Sequence, residues 1–207
     1  MTLTQVDAKT RTQKTAVIEH IRDAVDEYTN VYTFTFDNMR SELFNPIRQE
    51  WRDSRFFFGK NKVMQVALGR TAGEAYRENL HQVAGGLLGN VGMLMTNRPR
   101  EEVEEYFGTL VADDYARAGG VAMTTVKVAA GPRKDFLFSQ HEYIRKLGLP
   151  VLLKTGVVVV EVPHTVCREG EVLDTNQAKL LQLLGEKQAR FTVRMLSMWS
   201  DGEYTEL

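Results

Sequence analysis

The residues best placed to do chemistry lie in one short stretch, FFFGKNKVMQVALG, from Phe56 to Gly69. Three aromatics run into Gly59, then Lys60, Asn61 and Lys62, then apolar residues at helical spacing. Lysine charge beside the free N–H groups of a helix start makes an anion site. Upstream, Arg48 and Arg52 are one turn apart on a helical segment and project together. From Arg40 to Lys62, Arg55 included, six basic residues stand against three acidic ones. Asn38 and Asn61 add neutral donors. Such a set could hold a nucleotide phosphate, a substrate acid, or a folded RNA tracked through phosphates and 2′-hydroxyls. A mixed-charge helix face accounts for the same arginines without any ligand.

Motif by motif, the catalytic readings weaken. GKNK supplies a lysine, but G-x-x-x-x-G-K-[ST] is absent, and with it the backbone nest around a nucleotide. GGLLGN, Gly85 to Asn90, resembles a dinucleotide fingerprint but follows a helix and precedes a strand, the reverse of the required order; it reads as a helix C-cap and turn. There is no G-x-S-x-G and no H-E-x-x-H. The four histidines are scattered without ligand spacing, so no metal site or cofactor is expected. No nucleophile and base can be paired, so no enzyme is expected, and RNA binding ranks ahead of a small-molecule anion site.

Composition agrees with a globular chain. Of 207 residues, 43% are hydrophobic and 26% charged, and the net charge of −1 argues neither for nor against a polyanion partner. The aliphatic run Val157 to Val160 is far too short for a bilayer, so no membrane partner is expected. The polar N-terminus shows no secretory signal. Cys167 is the single cysteine, which excludes an internal disulfide and reads as a packed or half-exposed residue.

The elements that must carry these residues follow from periodicity. Lys14 to Tyr28 reads as an amphipathic helix and VYTFTF, Val31 to Phe36, as a strand. Asp37 or Asn38 caps a second helix with Met39, Leu43, Ile47 and Trp51 inward, and Pro46 implies a kink or late start. RFFFG is a second strand, Lys60 or Asn61 opens a third helix, and Glu74 to Leu88 reads as a fourth. VGMLMTN is a strand, followed by a helix opening at Pro99. Alternation of strand and helix argues for an α/β fold with a mixed or parallel sheet. Beyond Asp114 come a strand, a loop at GPRKDFLF, and a short helix stopped at Gly148. Two strands joined at Thr155-Gly156 and a helix capped by Asp174 or Thr175 follow. RFTVRMLSMW is a strand that returns to the first sheet, ahead of an acidic tip, DGEYTEL. The division is 1–112 with 188–207 as one domain and 113–187 as an insertion.

Five stretches, FFFGKNKVMQVALGR, NLHQVAGGLLGNVGMLMTNR, DYARAGG, LGLPVLLKTGVV and VCREGEVLDTNQAKLL, together resemble the mRNA turnover protein 4 family. These are ribosome-assembly paralogues of the large-subunit acidic stalk-base protein of the L10 family. The resemblance covers the whole chain in order. It implies a mixed α/β sandwich of the stalk-base type with an inserted smaller α/β domain. It implies binding to the stalk-base region of large-subunit rRNA in pre-ribosomal particles, beside an L11-type ribosomal protein, as a placeholder that a phosphatase-like factor helps release. Nucleolus and nucleus are the implied location, with shuttling to the cytoplasm left open. The RNA face maps onto Asn38, Arg40, Arg48, Gly59, Lys60, Asn61 and Lys62, with Arg52 and Arg55 added. Gly59 would permit close backbone approach, or serve an ordinary turn. Two departures stand out. The basic N-terminal tract is thin, only Lys9, Arg11 and Lys14, and the chain stops soon after the returning strand, without the long stalk helices. A C-terminally truncated stalk-base protein of mature ribosomes is the alternative.

Overall fold

The β-branched and aromatic runs become strands of one sheet, and amphipathic segments cover its two faces. The computed structural model describes residues 11–207; Lys9 lies outside the described residues. In chain order come α1 (Arg11–Glu27), β1 (Asn30–Asp37), α2 (Ser41–Glu50), β2 (Arg55–Phe57), α3 (Asn61–Leu68), α4 (Leu80–Gly85), β3 (Val91–Thr96) and α5 (Arg100–Thr109). Next are β4 (Val111–Asp114), β5 (Val126–Val128), β6 (Gly131–Arg133), α6 (His141–Lys146), β7 (Val151–Lys154), β8 (Val157–Val160), β9 (His164–Cys167) and α7 (Thr175–Leu184). β10 (Ala189–Ser200) and β11 (Glu203–Glu206) close the chain. Two compact units result: one comprises residues up to Leu110 with Thr192–Leu207, the other Val111–Phe191.

The sheet of the first unit runs β11-β10-β1-β3-β2. Neighbours β10–β11, β1–β10, β1–β3 and β2–β3 are all antiparallel. The mixed or parallel sheet expected from strand–helix alternation is therefore corrected to antiparallel pairing between these neighbours. β1 and β2 do run the same way across α2, but β3 is inserted between them, a split βαβ arrangement. Strand–helix alternation shows the direction of β1 and β2, not which strand fills the gap. The long returning strand does pair with β1, from Asn30↔Ser200 to Asp37↔Thr192. The acidic tip is corrected to a strand, β11, turned back by Asp201 at φ 45° and Gly202 at φ 92°.

Side chains alternate across the sheet. Val31, Met93 and Met95 face α1, α3 and α4, meeting Ile21, Ala24, Val25, Met64, Leu68, Leu80 and Val83 in one buried cluster. Phe34 and Phe56 face the other way, where Phe44, Trp51 and Phe107 of the α2 and α5 layer join them in edge-on and tilted aromatic contacts.

Two helix expectations change. Asn38 has a left-handed φ of 53°, so the chain turns there and α2 starts at Ser41, with neither Asp37 nor Asn38 as its cap residue. The helix expected from Glu74 to Leu88 shrinks to a single 3₁₀ turn at Ala72–Glu74 and the short α4. Asn79 at φ 58° interrupts it, and the segment spends its polar groups on the returning hairpin. The Trp199 indole donates to the Glu78 carbonyl at 2.8 Å, and the Asn79 amide donates to the Gly202 carbonyl at 2.9 Å. A local helix would forfeit both.

The second unit has its own core, including Ile144, Leu149, Val158, Val160, Leu180 and Leu181. β8 is the central strand of a β6-β8-β7 sheet, and β5 pairs with β9. Thr155 at φ 46° and Gly156 at φ 79° make the tight β7–β8 turn. Asp174 caps α7 by accepting from Asn176 and Gln177 N–H, while Gln177 closes a capping box. The expected loop at GPRKDFLF instead contributes β6 and a 3₁₀ turn, because Gly131 to Arg133 pair with β8. β9 escapes the sequence reading, its four residues being too short for a period-2 signal. Cys167 is buried, and burial pushes its thiol pKa up.

Burial pushes the phenols of Tyr32 and Tyr106 up to about 12; a neighbouring Glu104 adds to the first, and a hydrogen bond to Glu50 adds to the second. Both are raised above the ordinary value of 10, so their contribution to stability is complete below pH 10 and lost as pH climbs toward 12. Tyrosinate absorbance followed during alkaline titration should show at least two tyrosines ionising late, together with loss of helix signal. Ordinary titration of all tyrosines near 10 would contradict the burial.

Candidate nucleic-acid interface

Helix α2 is two-sided. Phe44 and Ile47, with Trp51 just beyond its end, are buried. Asn45, Arg48, Gln49 and Arg52 are exposed and line one open depression of about 460 Å³. Their spacing of three, four and seven residues puts them on one face. Arg48 and Arg52 thus share a surface, and Asn45 and Gln49 join them. Sequence reading missed these two amides, although the same helical spacing marks them.

The inner side sets where this face points. Phe44 meets Phe56 at 5.0 Å and Phe58 at 4.8 Å between ring centroids, both edge-on. The Arg48 guanidinium lies over these rings, its Cζ 5.2 Å from the Phe44 centroid and 5.5 Å from that of Phe58. Since Phe58 immediately precedes Gly59, this stacking brings Arg48 beside the Gly59–Lys62 corner. At the other end of α2, Arg98 donates to both Asp53 carboxylate oxygens at 2.8 and 2.9 Å. It also donates to Glu102 at 2.9 Å and to the Glu50 carbonyl at 2.9 Å, and lies 4.2 Å over the Trp51 ring. Hydrogen bonding from Arg98 holds the Asp53 carboxyl below its usual range, so the clamp is ionised at neutral pH.

At the corner itself, Lys60 is the N-terminal flanking residue of α3, and no side chain caps that end. The Lys60 carbonyl accepts from the Val63 N–H at 2.8 Å, which leaves the N–H groups of Asn61 and Lys62 as the uncapped donors of the first turn. Asn61 is a structural tie as well: its amide donates to the Gly89 carbonyl at 2.9 Å. Gly59 has no need of its missing side chain for packing. A Cβ there would meet only the end of Met64 at 4.0 Å. Gly92 is the opposite case, since a Cβ would sit 2.6 Å from the Phe34 ring.

The remaining residues of the expected face are spread around it. Asn38 occupies the left-handed turn and Arg40 flanks the start of α2, its carbonyl accepting from Leu43 and Phe44. Arg55 begins β2 and, by strand alternation, points to the sheet face away from α2. Among the described residues, none of Arg48, Arg52, Arg55, Lys60 and Lys62 is ion-paired. Arginines elsewhere are: Arg77 with Asp26, Arg98 with Asp53 and Glu102, Arg100 with Glu104, Arg133 with Asp135. Among the described residues, Arg48, Arg52, Lys60 and Lys62 have no acidic partner of this kind.

Comparison with known proteins follows the same lines. Residues 9–110 match the model of ribosomal protein L10, and residues 116–185 match that of the insertion domain found in its 60S ribosomal counterparts. Ribosome assembly factor mrt4 of Dictyostelium discoideum is 36% identical over 98% of this chain and 91% of its own length. The chain belongs to the Mrt4 family. Its counterpart in Saccharomyces cerevisiae, also a ribosome assembly factor, is 32% identical over 99% of this chain and 92% of its own. Large ribosomal subunit protein uL10 of Zea mays is more distant, at 27% identity over 92% of this chain and 60% of its own length. Mrt4 membership thus carries the L10 fold and its insertion together.

Two glycine substitutions separate packing from ligand approach. Gly92→Ala should cost about 1–3 kcal/mol by overpacking the phenylalanine cluster. Gly59→Ala should leave the denaturation midpoint unchanged while weakening RNA binding. A Gly59→Ala variant with full affinity would assign that glycine to the turn alone.

Proposed function

We propose that this chain is a large-subunit ribosome assembly factor that binds the stalk-base region of rRNA in pre-ribosomal particles. It holds the place later taken by the stalk-base ribosomal protein, and catalyses no reaction. One observation carries the reading: Arg48 and Arg52, with no ion pair among the described residues, project from a helix held at Phe44 by the Phe56 and Phe58 rings and just past its end by the Asp53–Arg98 pair. Phosphates are the natural partner of such a face, because unpaired arginine and lysine gain most where counterions are released. Family membership adds the context, since relatives at 32% and 36% identity are named ribosome assembly factors. Their higher identity supports this reading over that of a mature-ribosome protein, the name carried by the 27% relative.

Finer assignments belong to the same proposal. The particle is the nucleolar and nuclear precursor of the large subunit, with passage to the cytoplasm ending in exchange. An L11-type ribosomal protein is the neighbour, and a phosphatase-like factor promotes release.

The double reversal Lys60→Glu/Lys62→Glu should abolish binding to a stalk-base RNA fragment. Both side chains are exposed and acids suit a helix start, so the melting temperature should hold. Wild-type affinity should fall with salt, the log–log slope being about −0.9 per duplex phosphate neutralised. Tagged protein should sediment with precursor large subunits and be absent from polysomes. Polysome association, or binding that ignores salt, would count against the reading.

A further inference from the structure

Asn45 and Gln49 have no visible duty in the fold. Both are exposed on α2, and among the described residues neither carboxamide hydrogen-bonds to the protein. Yet they line the same depression as Arg48 and Arg52, so that its lining is two guanidiniums and two amides.

That lining narrows the chemistry of what binds there. Arg48 has its flat face over Phe44 and Phe58, which leaves the N–H groups at its periphery for oxygen acceptors. No aromatic side chain lines the depression, so bases have no aromatic ring there on which to stack. A carboxamide donates and accepts at once, as does a ribose hydroxyl. The 2′-hydroxyl is also the group by which a protein tells RNA from DNA. Asn45 and Gln49 are one turn apart, about 5–6 Å between Cβ atoms. This is comparable with the step between neighbouring nucleotides.

We propose that Asn45 and Gln49 hydrogen-bond ribose 2′-hydroxyls of a strand whose phosphates lie on Arg48 and Arg52. Helix α2 then selects for ribose, while the arginines supply affinity without sequence preference. The proposal rests on the chain being an rRNA binder, and it adds the two residues and the group they recognise.

The test uses the full chain, a stem-loop of stalk-base rRNA sequence, and the same stem-loop with fluorine replacing each 2′-hydroxyl. Fluorine preserves A-form geometry and every phosphate but cannot donate a hydrogen bond. Wild-type protein should prefer the natural RNA by about tenfold, the scale of two net hydrogen bonds. Asn45→Ala/Gln49→Ala should bring the two affinities to within about twofold of each other, since only those bonds are removed. The salt slope should survive that change, and an unchanged melting temperature checks the fold. Arg48→Ala/Arg52→Ala should weaken both ligands alike and make the slope shallower by about 0.9 for each phosphate no longer neutralised. A wild-type protein indifferent to the fluorine, or a double amide variant that still discriminates, overturns the proposal while salt-dependent RNA binding stands. Absence of salt-dependent binding to either stem-loop removes the rRNA reading as well.

Discussion

Edge-on contact between Phe44 and the two rings of Phe56 and Phe58 is the constraint on which the cationic face of α2 depends. A ten-residue helix with a proline inside it is marginal alone, and tertiary packing must hold it. Here β2 supplies Phe56 and the residue just past it, Phe58, and the helix sets its own ring edge-on against both. Gly92 belongs to the same device: its bare Cα leaves space that the Phe34 and Phe58 rings fill. With one side of α2 locked this way, the other side has a defined direction.

Fixing the helix also decides what its charges can do. Asp53 and Glu50 are the nearby acids in sequence, and either could have neutralised the outward arginines. The fold turns both to other uses. Asp53 is taken by Arg98, and Glu50 accepts from the Tyr106 hydroxyl at 2.7 Å. Arg48 and Arg52 are thereby left unpaired by acids that are themselves satisfied. Stacking on Phe44 and Phe58 further restricts Arg48, so less rotamer freedom is lost when a ligand arrives. Packing, ion pairing and recognition are in this way one arrangement.

The second unit solves its folding separately. Its core is aliphatic where the α2 side of the first is aromatic, and a buried polar side chain ties its loops. Gln188 accepts from the N–H groups of Met123 and Thr124, both at 2.9 Å, and donates to the Thr124 hydroxyl at 2.7 Å. One carboxamide so satisfies backbone groups that an apolar residue would strand.

Much of this was written locally in the residues. Periodicity placed α1, β1, α3, β3 and β10; Thr155-Gly156 announced a tight hairpin, and Asp174 or Thr175 announced the start of α7. Each depends on neighbours within a few positions, where backbone geometry and side-chain spacing act directly. The cluster of basic residues was legible for the same reason, since Arg48 and Arg52 are one turn apart whatever surrounds them. Apart from the return of β10 to the first sheet, long-range pairing was not. That β3 fills the gap between β1 and β2, and that Glu78 and Asn79 spend their polar groups on the hairpin of β10 and β11, follow from contacts between distant segments. Which positive charges remain unpaired is also a three-dimensional outcome, because Arg98 reaches Asp53 across forty-five positions. Spacing along the chain determined the elements and the charge they carry; only the packed sheet decided which neighbours they meet, since that choice depends on surfaces that exist only once the chain has folded.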